Sequence, residues 1–244
     1  VILAAALQNL SDSLFNQPIK GKIMKSLCII VGFGTGLGMG IAEAFGKDGF
    51  QLGLISRNPS KYADALRSLG EAGIDTNIEA ADVSNEQSLI DAIDKIQQEI
   101  GTAEALVYNA VSPTFGKPTT LTANQLAKDF SVNVVGALVA AKAVLPAMRI
   151  KGQGSLLFTG GGWAHCPWDE ASSISIGKAG LRSLTLTLAQ ELAGTEIRVG
   201  MVSIMGQVAP GTPFDPSKIG AAFLELYHLP TDKFQSEVLF QGAS

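Results

Sequence analysis

The chain is poor in charge, in aromatic rings and in cysteine. Only 16% of its 244 residues are Asp, Glu, Lys or Arg, and the formal net charge is −4. With a pI near 5.2 there is no basic stripe for a polyanion, so nucleic acid is disfavoured as a partner. The two cysteines, Cys28 and Cys166, lie far apart and match neither a metal-ligand spacing nor a CxxC pair. A disulfide framework and a thiolate metal site are thereby excluded, and two free thiols fit a reducing cytoplasm. The sequence reading finds no apolar run of the eighteen or so residues that a membrane-spanning helix needs, so no membrane partner is expected. The opening VILAAALQNL has no basic leader and no convincing cleavage site, which argues against a signal peptide.

What is abundant is apolar surface, 46% of residues, and glycine, 27 in all. A chain of this length suits one large α/β domain. Its apolar excess suits a parallel sheet buried on both faces, whose strands read as short continuous apolar runs. Such runs recur at 27–31, 51–56, 76–81, 105–108, 155–159, 197–203 and 237–240. Helical spacing fills the intervals: after Gly36, about 59–69, 84–100, about 123–148, about 172–192 and 215–226. Ser84 is the expected N-cap of the third helix, with Gln87 at the capping-box position. Strictly alternating strands and helices predict a single Rossmann-type, doubly wound α/β domain of about seven parallel strands. Met24 stands just before the first strand, so residues 1–23 read as an extension and 24–244 as the domain. The final EVLFQG resembles a viral protease recognition site, but its strand propensity where the fold needs a strand favours a native last strand.

Gly32-Phe33-Gly34-Thr35-Gly36-Leu37-Gly38 lies between the first strand and the first helix. Backbone N–H groups at a helix N-terminus, helped by the macrodipole, favour a pyrophosphate there, and side chains would obstruct it. Position after a strand and before a helix makes this a dinucleotide site rather than a mere turn. The end of the second strand carries Ser56-Arg57-Asn58 and no acid. An acid there would accept from a ribose 2′-OH, whereas Arg57 and Ser56 suit a 2′-phosphate, so NADP(H) is favoured over NAD(H).

These motifs and their order resemble the short-chain dehydrogenase/reductase family, from about Ser26 to the end. The GxxxGxG turn (Gly32, Gly36, Gly38) comes first. Asp82-Val83 resembles the family's adenine-contacting pair, and Asn109-Ala110-Val111 its NAG with valine for the last glycine. Asn133 matches the mid-helix asparagine, and Lys178, followed by Ala-Gly, the lysine that contacts the nicotinamide ribose. The resemblance implies a cofactor site of Gly32, Thr35, Gly36, Leu37, Gly38, Ser56, Arg57, Asp82, Val83, Asn109, Ala110 and Lys178. It also implies catalytic roles for Lys178 and Asn133, a small-molecule substrate, and a homodimer or homotetramer formed through the two long helices.

The active site departs from the family. A tyrosine is expected four residues before the lysine and a serine thirteen before that tyrosine; here Ile174 and Gly161 stand there. The related enoyl reductases place tyrosine seven before the lysine, where this chain has Ala171. Three explanations are open. Another group supplies the proton, with Tyr108 the first choice and His165 and Cys166 next. Or no protein acid is needed, and the N–H groups of Gly160-Gly161-Gly162 form an oxyanion hole, with Thr159 or Ser173 standing in for the serine. Or the chain is a catalytically inactive NADP(H)-binding sensor or scaffold. The expected activity is an NADP-dependent oxidoreductase on a small carbonyl, alcohol or activated alkene. Trp163, Trp168 and the stretch 167–170 are expected to wall its substrate site, beside a loop after strand six too short for a large lid.

Overall fold

The computed structural model describes residues 25–242; the expected extension 1–23 lies outside them. Seven parallel strands form one sheet in the order β3-β2-β1-β4-β5-β6-β7. They are β1 Leu27–Val31, β2 Gln51–Ser56, β3 Thr76–Ala80, β4 Ala103–Tyr108, β5 Gly154–Gly161, β6 Ile197–Ile204 and β7 Val238–Phe240. The helices are α1 Leu37–Lys47, α2 Ala63–Glu71, α3 Glu86–Ile100, α4 Ala123–Lys151, α5 Ser172–Glu191 and α6 Pro216–His228. The doubly wound α/β expectation therefore holds. The closing EVLF segment is the last strand, with Val238 to Phe240 in register with Val202 to Ile204.

Alternation along buried strands explains the two cores. On β1, Leu27, Ile29 and Val31 face the layer of α3, α4 and α5, while Cys28 and Ile30 face α1, α2 and α6. All five are buried, so each side chain has a helix to meet. The edge strand β3 is only half-buried and correspondingly more polar. Reversal of strand order between β1 and β4 opens a crevice at their carboxyl ends.

Two local expectations are corrected. Helix α3 begins at Glu86 and is capped by Asn85, whose side chain accepts from the Ser88 N–H. Ser84 is unavailable as a cap because its N–H and hydroxyl both donate to the Asp82 carboxylate, at 3.0 and 2.7 Å. Helix α4 runs for 29 residues, and an 18-residue window reaches a mean hydropathy of 1.7. By length and composition it is therefore apolar enough to cross a membrane, against the sequence reading. Here it covers the sheet, and Ala137, Ala140, Ala141 and Val144 are fully buried in the core beneath it.

Candidate active site

The site is built where β1 ends. Gly32 adopts φ +86°, and an added Cβ would lie 2.5 Å from the backbone of Ala110. Only glycine lets the chain leave β1 this close to β4. Gly38 is confined less tightly, with Phe33 and the Gly32 carbonyl 3.2–3.4 Å from its Cβ position, and it brings α1 against the turn. Gly36, the residue preceding α1, differs: nothing lies within 4 Å of where its Cβ would point. The first packs strand on strand, the second helix on strand, and the third leaves open space in front of a helix N-terminus whose leading N–H groups have no intrahelical acceptor.

A cleft of about 240 Å³ extends from this turn. It brings together ten of the sequence-predicted residues: Gly32, Gly36, Leu37, Gly38, Ser56, Arg57, Asp82, Val83, Asn109 and Ala110. Phe33, Tyr62, Ser112 and Val132 also line it. Tyr62 and Phe33 meet edge to face at 5.4 Å, a wall missed from the sequence because Tyr62 falls in the segment 59–69 read only as helix, with nothing to show which side chain turns to the cleft. Arg57 is exposed at the mouth. Its charge helps hold the Asp82 carboxyl below the usual range, after the two Ser84 hydrogen bonds, which do most. Thr35 stands exposed on the turn, outside the lining.

Asn109 spans the crevice. Its Nδ2 donates to the Gly32 carbonyl at 3.1 Å and its Oδ1 accepts from the Thr159 hydroxyl at 3.0 Å, tying the ends of β1, β4 and β5. The Thr159 carbonyl in turn accepts from Lys178 Nζ at 2.6 Å. Burial lowers the Lys178 pKa to about 8. Lys178 is thus one residue removed from the cleft lining, and its ammonium has two further N–H groups to offer.

Ile174 is buried in the first turn of α5, and Gly161 lies beside the Lys178 stem, 3.6 Å from Cε at its Cβ position. Neither bears a proton. Tyr108, the first alternative, is also corrected. It is 0% exposed, it belongs to the core under α4, and its hydroxyl donates to the Val132 carbonyl. The reason is a π turn at Ser131–Val135: Gly136 N–H reaches back five residues to Ser131, bypassing Val132, whose carbonyl then takes the tyrosine. Gly136 is glycine because a Cβ would collide with that hydroxyl. Burial pushes the phenol pKa further up, away from proton transfer near neutrality.

The other candidates are also placed. His165 Nε2 lies 2.9 Å from Glu237, which Arg182 and Ser203 hold as well. Burial raises the Glu237 pKa and those three partners outweigh it, keeping the carboxylate ionised. Cys166 is exposed rather than packed, and Cys28 is buried. Gly160 and Gly161 are drawn into β5, leaving Gly162 of the three in the loop. Ser173 donates to Asp129. Trp163 and Trp168 sit 5.7 Å apart on the loop after β5.

Asp129 is the residue that sequence reasoning missed. It is 4% exposed, and accepts from Ser112 at 2.7 Å and from Ser173, with Thr114 a further donor. Burial raises its pKa, and these hydrogen bonds more than reverse that. One turn on, Asn133 clamps Ser112 from both sides, accepting from its N–H at 2.8 Å and donating to its carbonyl at 3.0 Å. Asp129 and Asn133 therefore share one face of α4 and hold the loop after β4. An aspartate in an amphipathic helix gives no sign that it faces inward.

A sequence model described as short chain dehydrogenase matches residues 26–212. The chain belongs to the short-chain dehydrogenase/reductase family. Its family relatives include an uncharacterized oxidoreductase of Bacillus subtilis, 28% identical over 87% of this chain and 74% of that one. A 3-dehydrosphinganine reductase of Arabidopsis thaliana is 26% identical, over 80% of this chain and 60% of its own length. Among solved structures, a metagenomic short-chain oxidoreductase in complex with NADP superposes with a TM-score of 0.82 at 24% identity, covering 90% and 98% of the two chains. The L-sorbose reductase of Gluconobacter frateurii, complexed with NADPH and L-sorbose, gives 0.72 at 26%, covering 77% and 71%. This is a family of oxidoreductases.

The residues present fit the nicotinamide dinucleotide of that family. Gly36 keeps open the space that a Cβ would enter, Arg57 supplies a cation at the mouth, and Lys178, behind the lining residue Asn109 and its partner Thr159, keeps two unspent donors.

Proposed function

We propose that the chain is an NADP(H)-dependent oxidoreductase that reduces or oxidises a small carbonyl, alcohol or activated alkene without the family's serine and tyrosine. When bound, the cofactor supplies a hydride. Leu37 and Gly38 would offer N–H groups to the pyrophosphate, Asp82 and Val83 would border the adenine, and Lys178 would hold the nicotinamide ribose. Asn133 acts indirectly, by fixing Ser112 in the cleft wall. The observation that carries the cofactor choice is Ser56-Arg57 lining the cleft at the end of β2 with no carboxylate beside it on that strand. A 2′-phosphate gains a charge-assisted partner from Arg57, whereas a 2′-OH finds no acid at the end of β2.

Residues 24–244 would form the working unit. Phe130, Val135 and Leu138 on α4 and Ile176 on α5 are exposed, which supports self-association through these helices. The two unpaired thiols suit a reducing compartment such as the cytoplasm.

Calorimetric titration with NADP(H) and NAD(H) tests the reading. NADP(H) is expected to bind more tightly, and Arg57→Ala to cost it roughly tenfold or more, the value of one charged hydrogen bond. NAD(H) affinity is expected to stay unchanged. Equal affinity of the wild-type protein for both cofactors would remove the role of Arg57, and binding of neither would remove the enzyme.

A further inference from the structure

Among the described residues, most groups that could give the proton of a carbonyl reduction are already engaged. The phenol of Tyr108 is buried on the Val132 carbonyl. The Ser173 hydroxyl is given to Asp129, and that of Thr159 to Asn109. His165 is held by Glu237, which lies on the β7 side of the fold. Ile174 and Gly161 carry no acid. Tyr62 lines the cleft against Phe33 and Gly34, on the β1–β2 side, and Cys166 is exposed on the loop after β5. Lys178 stands directly behind the Asn109–Thr159 edge of the cleft, beside the open space at Gly161, with an ionisable proton and two N–H groups left over from its bond to the Thr159 carbonyl.

We infer that Lys178 itself is the proton donor and acceptor of the reaction, in place of the missing tyrosine. The inference rests on the oxidoreductase reading above. In the reducing direction the Lys178 ammonium gives one proton to the substrate oxygen as the carbonyl carbon accepts a hydride from the reduced nicotinamide. The C=O π bond becomes an O–H and a C–H bond, Lys178 is left as a neutral amine, and water returns its proton. In the oxidising direction the neutral amine takes the alcohol proton. The glycine at 161 leaves space along the lysine stem that a serine would narrow.

The surroundings suit this chemistry. Burial is the cause of the lowered Lys178 pKa, about 8, which places both protonation states within reach near neutrality. The facing groups on β5 are the Thr159 carbonyl and the glycine at 161, neither of which titrates. On α4, Asp129 is taken up by Ser112 and Ser173, and on α5 itself Arg182 is paired with Glu237.

The test has two readouts. In cofactor-free protein labelled with ¹³C at lysine Cε, one resonance absent from Lys178→Ala is expected to titrate near pH 8; a midpoint at 10 or above overturns the inference. For turnover, NADPH oxidation is followed with phenanthrenequinone and diacetyl from pH 6 to 10, alongside NADPH binding. Wild-type kcat/KM is expected to fall tenfold per pH unit above about 8. In Lys178→Ala, added primary ammonium ions are expected to restore the rate, with an alkaline break that follows the pKa of each amine. Rescue that ignores amine pKa would mean that the lysine only positions the ribose, and would overturn the inference. A profile flat to pH 9.5 overturns it as well. Absence of turnover with NADPH bound tightly overturns the proton role and leaves the cofactor reading standing; absence of NADPH binding removes the reading beneath it.

Discussion

The two sides of the cleft rest on different kinds of physical constraint. On the β1–β2 side, the turn from Gly32 to Gly38, Ser56-Arg57 and Asp82 follow the family in order and spacing, and all but Thr35 line one cleft. On the β5–α5 side, the lysine keeps its place while an isoleucine and a glycine occupy the positions of the proton-transfer pair. The first side is mostly backbone geometry. Gly32 is demanded by a positive φ and a 2.5 Å contact at its Cβ position, so replacing it would disturb the fold as well as the site. A Cβ at Gly38 would make a tight contact of 3.2 Å to which the neighbours must yield. The second side is side-chain chemistry on a rigid frame, where Ile174 packs as well as a tyrosine stem would.

Three experiments press on that contrast, beginning with the largest effect. Leu37→Asp puts a carboxylate at the start of α1. It is expected to cost NADPH about a hundredfold in affinity, as two like charges some 4–5 Å apart repel by a few kcal/mol at the effective dielectric of a surface site. The same acid favours an empty helix N-terminus, which offsets part of the packing lost where Leu37 meets the core, so a melting curve checks that the variant is folded. Retained affinity in a titration would mean that the phosphates do not meet this helix.

Restoring the other side is the second. Ile174→Tyr combined with Gly161→Ser should raise carbonyl reduction at least about tenfold, given that a positioned acid contributes roughly 10²–10⁴. A folded double variant with an unchanged rate would show that α5 does not border the reacting atoms.

Tyr108→Phe is the third and smallest. Leaving the Val132 carbonyl unpaired should lower stability by about 1–2 kcal/mol in denaturant titration, with NADPH binding and turnover unaltered. Any loss of turnover beyond the loss of folded protein would return Tyr108 to the site.

These contrasts also show what could be read early. The alternation of strand and helix, the glycine turn and the Ser56-Arg57 pair are local in sequence, because strand, turn and helix succeed one another along the chain. The absence of the acid was equally visible, because it depends on spacing from Lys178. The roles of the substitutes were not. Tyr108 ends a strand and so reads as cleft-facing, yet its direction is set by a π turn 24 residues away that frees one carbonyl. Ser84 reads as a cap until Asp82 captures it.

The sequence by itself determined the doubly wound sheet and the glycine turn between β1 and α1, since periodicity and spacing along one chain carry them. It also set isoleucine and glycine at 174 and 161, where the family resemblance implies a tyrosine and a serine. Only the tertiary structure decided which polar groups are spent and which are free. It paired Ser173 and Ser112 with Asp129, Thr159 with Asn109 and His165 with Glu237, and left the Lys178 ammonium with donors to spare. Hydrogen-bond partners in a buried site come from strands and helices remote in sequence, and a side chain's chemistry is what remains after those bonds are made.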